Sequence, residues 1–245
     1  MSADAILWHD LECGGYVEDL PLWRELADAH GRDGGILDVG AGTGRVTLHL
    51  AAHGHALTAL DLDGDLLAAL RERAAAAGAV VETVTADARA LHVPGRAFGL
   101  VLVPMQTVQL LDGPEARGAF LRRARAHLRP GGVLAMAIAD PRDGIADDDH
   151  PEPPLPDMRE VDGVVYASRP VALYEEGGAV AIERIREVVT RAGERRSEGN
   201  VVWLDTIDAA TLEGEGAAAG LRVFPRREVP QTDVYVGSKV VVLGA

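Results

Sequence analysis

The first 140 residues alternate two patterns of apolar and polar positions. Short, β-branched or apolar runs read as strands: Ile36–Val39, Ala56–Asp61, Val80–Thr85, Gly99–Val103 and Val133–Ala139. Between them lie Ala-, Leu- and Arg-rich stretches with helical spacing. In Leu66–Ala77 the apolar positions Leu66, Leu67 and Leu70 share a face, with Arg71, Glu72 and Arg73 opposite. Pro114–Leu128 is similar, and Pro130-Gly131-Gly132 stops it. A helix over Val17–His30 precedes the first strand. Strand–helix alternation with short loops predicts an α/β fold with a parallel sheet covered by helices on both faces, and the near-continuous apolar character of the strands suits such a sheet.

From residue 140 the pattern changes. Asp140–Asp162 carries Pro141, Pro151, Pro153, Pro154 and Pro156 and the acidic run Asp147-Asp148-Asp149, and it reads as a long loop. Val164–Tyr174, Ala179–Arg191 and Gly199–Thr206 then read as three antiparallel strands. They are joined by turns at Glu176-Gly177-Gly178 and Ala192-Gly193-Glu194. A short helix follows, Asp208–Ala219, with Asp208 as its N-cap. Leu221–Phe224 and Tyr235–Leu243 close the sheet as an antiparallel hairpin. The expected organisation is a single domain over 1–245. It has an N-terminal lid and helix (1–30), a core (34–140), a loop and β insertion (141–206) and a C-terminal closure (207–245).

The 245 residues suit one large domain or one domain with an insertion, and a hydrophobic share of 47% is globular composition. With 38 acidic and 24 basic residues the net charge is -14, which argues against a dedicated nucleic-acid binder because phosphate neutralisation needs a basic face. Lys239 is the sole lysine, which leaves Schiff-base chemistry one candidate near the C-terminus. The single cysteine, Cys13, allows neither an intrachain disulfide nor a multi-cysteine zinc site. There is no basic n-region at the N-terminus and no apolar stretch near the roughly 18 residues a membrane span needs. The expectation is a cytoplasmic protein without a membrane partner.

The strongest motif is Ile36-Leu37-Asp38-Val39-Gly40-Ala41-Gly42-Thr43-Gly44-Arg45, a strand ending in a glycine loop that opens a helix, Arg45–Ala52. Glycines let a ligand approach the main chain without Cβ interference. The spacing is not that of a dinucleotide site: the third glycine comes one position early, and Arg45 stands where the fingerprint glycine belongs. Asp61 ends the second strand, where a carboxylate can accept both hydroxyls of a ribose. Asp87 follows the third, where it can accept from an adenine amine while the Ala88 amide donates to the ring. Asp38, Asp61 and Asp87 thus fall at the carboxyl ends of consecutive strands, where doubly wound sheets bind ligands. The alternative is that they only cap turns and helices.

These residues resemble the class I S-adenosylmethionine-dependent methyltransferases over roughly Gly34–Ala139. Asp38-Val39-Gly40-Ala41-Gly42-Thr43-Gly44 resembles the family's nucleotide-binding loop. Phe98-Gly99-Leu100-Val101-Leu102-Val103 resembles its fourth strand, and Leu128-Arg129-Pro130-Gly131-Gly132-Val133-Leu134 its entry to the fifth. The resemblance implies a mostly parallel, seven-stranded, Rossmann-like sheet with an antiparallel last strand and a small antiparallel β insertion. It implies S-adenosylmethionine as cofactor, held by Asp38, Gly40, Ala41 and Gly42, by Asp61 and Leu62, by Asp87 and Ala88, and by Pro104. It is nearly silent on the acceptor, because one fold hosts many.

In such enzymes the acceptor residues come mainly from the N-terminal segment, the loop after the fourth strand and the insertion. The loop Val103-Pro104-Met105-Gln106-Thr107-Val108-Gln109 lacks the Asn/Asp-Pro-Pro-aromatic tetrad of nucleobase and glutamine amino-methyltransferases. It also lacks the acidic ligand of magnesium-dependent enzymes, so no metal is expected. Gln106 and Gln109 are candidates to orient a polar acceptor, with Gln109 alternatively facing the following helix. In Ile6–Tyr16, read as a lid, Trp8 is a candidate to stack on a planar substrate, His9 a base candidate on its reference pKa, and Tyr16 a residue near the methyl donor. The alternative is that Trp8 and Tyr16 only pack a helix. His150 is a second base candidate. Arg184 and Arg186 share one strand face and suit either a carboxylate ligand or neighbouring glutamates such as Glu183 and Glu187.

The reading is therefore methyl transfer to O or N of a small molecule. Methylation of RNA or protein, or donor binding without transfer, are the alternatives. The unpaired edges of the three insertion strands predict a homodimer through that region.

Overall fold

The computed structural model describes residues 3–143, 155–232 and 235–245. In chain order its elements are α1 (Ala3–Cys13), α2 (Leu20–His30), β1 (Ile36–Val39), α3 (Arg45–Ala52), β2 (Leu57–Asp61) and α4 (Gly64–Ala76). Next come β3 (Val81–Thr85), β4 (Phe98–Val103), α5 (Pro114–Ala126), β5 (Leu128–Ile138), β6 (Asp157–Val161) and β7 (Val164–Glu176). The chain ends with β8 (Ala179–Val189), β9 (Arg195–Asp205), α6 (Ala209–Ala218), β10 (Arg222–Val223), β11 (Arg227–Val229) and β12 (Ser238–Gly244). Two compact units form: Met1–Gly15 with Asp140–Thr206, and Tyr16–Ala139 with Ile207–Ala245.

The larger unit is the expected α/β core. Its sheet runs β10-β12-β5-β4-β1-β2-β3, with β1 to β5 parallel and β12 antiparallel to β5. All four residues of β1 and all six of β4 are buried. This is why those strands read as unbroken apolar runs: helices cover both faces of the sheet. Helix starts follow local chemistry. Asp63 caps α4 by accepting from the Asp65 and Leu66 amides, and Asp208 caps α6 by accepting from the Thr211 amide, as expected. Pro130-Gly131-Gly132, read as a helix stop and, by resemblance, as the entry to the fifth strand, lies within β5. Pairing jumps from Phe98↔Leu128 to Leu100↔Val133, so regular register resumes where the strand was expected to begin. The sheet has eight strands rather than seven, because β11 also pairs with β12. Three residues, two of them charged, carry too little pattern to announce a strand.

The smaller unit holds a four-stranded antiparallel sheet, β6-β7-β8-β9, not three strands. β6 lies inside the stretch read as loop. Its signal was Asp162-Gly163, with φ of 50° and 74°. Two consecutive positive φ values make the tight turn that matches strand twist in a hairpin. The His150 and Asp147–Asp149 positions lie outside the described residues.

The N-terminal stretch is not one lid followed by one helix. It is α1, a break at Gly14-Gly15, and α2, and the boundary between the units falls at that break. α1 packs on the insertion sheet. The Trp8 ring meets the Tyr166 edge at 5.6 Å and lies under the Arg186 guanidinium. Glu12 accepts two hydrogen bonds from Arg186, at 2.8 and 2.7 Å, and one from the Ser168 hydroxyl at 2.7 Å. Arg184 donates to Ser168 and to Asp157. The two arginines do share a face and do bind carboxylates, but those of Glu12 and Asp157. Glu183 instead accepts from the Tyr174 hydroxyl, and Glu187 pairs with Arg195.

Burial raises the Glu12 carboxyl, but the bonds from Arg186 and Ser168 outweigh it and hold the group below the usual glutamate value. Its contribution to stability is therefore present above about pH 4.5 and lost as pH falls through the folded value. Glu12→Ala leaves Arg186 half-enclosed without its partner and is expected to destabilise this unit by about 3 kcal/mol. Thermal melting at pH 7, with limited proteolysis of the insertion, checks this.

Candidate functional site

Parallel pairing brings the carboxyl ends of β1, β2, β3 and β4 to one edge, and the glycine loop hangs there from β2. The Leu60 carbonyl accepts from both the Gly40 amide (2.8 Å) and the Ala41 amide (3.1 Å). Asp61 Oδ2 accepts from the Gly42 amide at 2.8 Å, and its Oδ1 from the Asp63 amide at 2.9 Å. The Ala86 amide donates to the Asp61 carbonyl, drawing the end of β3 into the same arrangement. Gly40 has φ of 73°, and a Cβ there would come within 2.4 Å of the Thr107 methyl. The loop after β4 therefore presses on the glycine loop, and only glycine fits between them.

Asp38, on β1, is 1% exposed. Its Oδ2 accepts from the Thr47 hydroxyl at 2.6 Å, while Oδ1 has no hydrogen-bond partner among the described residues. Burial pushes this carboxyl up to about 6; the Thr47 bond and the Arg45 charge oppose the shift, and Asp61 and Asp19 add to it.

Asp87 both caps a short turn and forms an ion pair. It accepts from the Arg89 amide at 2.8 Å and from the Arg89 guanidinium on both oxygens, which hold its carboxyl below the ordinary value. Ala88 opens that turn, and Leu62 is strongly exposed. Pro104 ends the β4 segment, where its carbonyl accepts from the Thr107 hydroxyl.

The acceptor candidates scatter. Tyr16 belongs to the core unit and Trp8 and His9 to the other, so the proposed lid is divided between them. Trp8 is buried against Tyr166 and Arg186, which corrects its role as an open stacking platform. Gln109 is buried as well: its amide nitrogen donates to the Ala139 carbonyl and its oxygen accepts from the Ala139 amide, each at 3.0 Å. It braces the end of β5 rather than offering its amide to a ligand. Gln106 remains partly exposed beside it.

Several residues at this edge carried no clear sequence signal. Arg45 donates to the Tyr16 carbonyl at 2.6 Å, forms a two-point pair with the buried Asp19 carboxylate, and lies 5.1 Å from the centre of the Tyr16 ring. Trp23 donates to the same carboxylate at 2.7 Å. The sequence marked Arg45 only as standing in the place of a fingerprint glycine, which says nothing of these partners. Tyr16 packs on Tyr235, and burial raises its hydroxyl above the usual tyrosine value despite nearby Ser238. Met105 has φ of 54°, a conformation that costs a non-glycine residue about 1 kcal/mol or more and collects at functional sites. Among the described residues no cluster of three metal-ligating side chains occurs. No helix among them is long and apolar enough to cross a membrane.

Comparisons with known proteins agree with this geometry. Residues 36–132 match the family model described as a methyltransferase domain. No curated protein matches the chain by sequence. Similar solved structures include the amino pentose methyltransferase of Micromonospora echinaspora involved in calicheamicin biosynthesis, solved with S-adenosylmethionine bound. It is 21% identical with a TM-score of 0.74, covering 100% of this chain and 97% of that one. The DesVI protein of Streptomyces venezuelae is 25% identical with a TM-score of 0.73, covering 98% and 99%. A sugar N-methyltransferase from a Streptoalloteichus species is 21% identical with a TM-score of 0.72, covering 98% and 92%. Residues 36–132 thus match a methyltransferase domain, and the fold is similar to that of these methyltransferase structures.

Arg45→Met removes the charge that, among the described residues, pairs with the buried Asp19, and is expected to cost about 3–5 kcal/mol of core stability. Arg45→Lys, which keeps the charge but not the two-point geometry, recovers part of it. Calorimetric unfolding of the two variants beside the parent checks the order.

Proposed function

We propose that the protein transfers the methyl group of S-adenosylmethionine to an amine nitrogen of a small molecule, of the amino-sugar kind. The observation that carries the donor part is the joint geometry of the glycine loop and Asp61 within a matched methyltransferase domain. Each Asp61 oxygen accepts one backbone amide and keeps a lone pair, so the carboxylate is oriented to take the two ribose hydroxyls. The unpartnered Asp38 Oδ1 suits the ammonium of the donor's amino acid part. Gly40, Ala41 and Gly42 let the donor approach the main chain, with Leu62 and Pro104 beside it. Adenine takes Asp87 and the Ala88 amide once Arg89 turns aside, a small cost for an exposed ion pair of about 0.2–1 kcal/mol.

The donor supplies an electrophilic methyl whose C–S bond breaks as the new bond forms, with the electron pair leaving on sulfur. The protein's own share is mainly alignment, worth up to roughly 7–11 kcal/mol in favourable cases. Nitrogen is preferred over oxygen because an uncharged amine attacks with its own lone pair, and its proton leaves to water afterwards. A hydroxyl acceptor needs a base near neutrality. Tyr16, raised above its ordinary value, keeps its proton at pH 7 and serves as a hydrogen-bonding group rather than a base. Two of the similar structures are of enzymes named for amino-sugar or sugar-nitrogen methylation, which supports the same reading. Within the core unit, Gln106 remains as a group to orient the acceptor. A second copy of the chain is proposed to pair along β9, an edge strand with exposed Val201, Val202 and Trp203.

Asp61→Ala is expected to weaken donor binding by about 1.5–3 kcal/mol, some 10- to 150-fold, in isothermal calorimetry. Parent-like affinity in that variant removes the ribose assignment, and preference for a dinucleotide removes the donor reading. With labelled donor, amino sugars should accept methyl while their hydroxyl counterparts do not; the reverse outcome assigns oxygen. Light scattering at micromolar concentration should give twice the chain mass, and Trp203→Glu should halve it. A monomer in the parent refutes pairing.

A further inference from the structure

Thr47 is the polar residue on the buried face of α3, between Val46 and Leu50, and its hydroxyl is fully enclosed. A threonine in a helix interior costs some helix propensity, and its hydroxyl usually bonds back to its own helix. Here it leaves the helix and donates to Asp38 Oδ2 at 2.6 Å, short enough for a charge-assisted bond. A carboxylate has two oxygens and no preference between them until something holds one. With Oδ2 held by Thr47, rotation about the Asp38 side chain is stopped, and Oδ1 is the oxygen left buried and unpartnered.

We propose that Thr47 is a positioning residue for the methyl donor: by holding Asp38 Oδ2 it aims Oδ1 at the donor's α-ammonium group. The proposal rests on the reading that Asp38 meets that ammonium. An unsatisfied buried carboxylate oxygen is costly, and a cation delivered by the ligand relieves that cost only on binding. The charged groups acting on Asp38 are Arg45 at the start of α3, Asp61 at the end of β2 and Asp19 before α2. Burial is the main influence against ionisation of Asp38, and the Thr47 bond is the largest one opposing it, ahead of Arg45, while Asp61 and Asp19 add to the rise. The carboxylate binds the cation and the proton competes for it. Donor affinity should therefore be constant above about pH 6 and fall as pH drops below the Asp38 value.

The test compares S-adenosylhomocysteine, which keeps the amino acid part, with methylthioadenosine, which lacks it, by calorimetry between pH 5 and 7. Thr47→Val and Thr47→Ala remove the hydroxyl, Thr47→Ser retains it, and Asp38→Asn removes the charge. The expected result is at least a tenfold loss of S-adenosylhomocysteine affinity in the Val and Ala variants. Their pH midpoint should rise, the Ser variant should stay within twofold of the parent, and methylthioadenosine binding should not change. Parent-like affinity and pH profile in whichever of the Val and Ala variants folds, with Asp38→Asn weakened, overturns the role of Thr47 and leaves the donor reading standing. Equal weakening of both ligands also overturns it, since Thr47 then only supports the loop. If Asp38→Asn binds S-adenosylhomocysteine normally, the Asp38–ammonium contact itself fails and the inference falls with it.

Discussion

The carboxylate of Asp61 is the tie on which the ligand-binding edge depends. It joins the glycine loop after β1 to the end of β2 through the Gly42 amide, and it closes its own following turn through the Asp63 amide. The loop has no regular structure of its own to hold it. Its other anchors are the Leu60 carbonyl, which takes two amides, and the Thr107 methyl pressing on Gly40. Without these, three positive-φ glycines would leave a flexible strap rather than a cradle. The same carboxylate is oriented while keeping acceptor capacity, so one residue both shapes the loop and remains open to a ligand.

A neighbouring acid shows a different solution. Asp38 sits deeper, with one oxygen held and one not, and it titrates near 6. Asp87 sits at the surface and is covered by its own arginine. Three acids at equivalent strand ends thus differ in burial and partner, and so in charge and availability. Equal spacing in the chain does not imply equal electrostatics.

Much of the core was legible because a sheet covered on both faces writes its strands as apolar runs and its helices as one-sided stripes. The Ile36–Val39 strand and the Arg45–Ala52 helix were read to the residue. β6 and β11 were not, because both are short and carry charged residues, so neither shows an apolar run or a clear alternation, although each pairs with a strand close by in the chain. At the site, the glycine spacing and Asp61 were legible because backbone geometry demands particular residues there. Side-chain roles were less so. Trp8 and Gln109 are chemically suited to a substrate, yet tertiary packing engages the first with Tyr166 and Arg186 and the second with Ala139. Nothing local to Arg45 or Asp19 foretells that they meet across 26 residues.

The Glu12–Arg186 pair carries a consequence for inheritance. The helix at one end of the chain and the β insertion far along it form a single packed unit from two separate stretches of coding sequence. A recombination event that replaced only the insertion would set a foreign surface against Glu12 and strand its charge. The two stretches are therefore constrained together, since a change at residue 12, 168 or 186 alone leaves a charge or a hydroxyl without its partner. The glycine loop and its acids, contained wholly in the other unit, are free to persist unchanged.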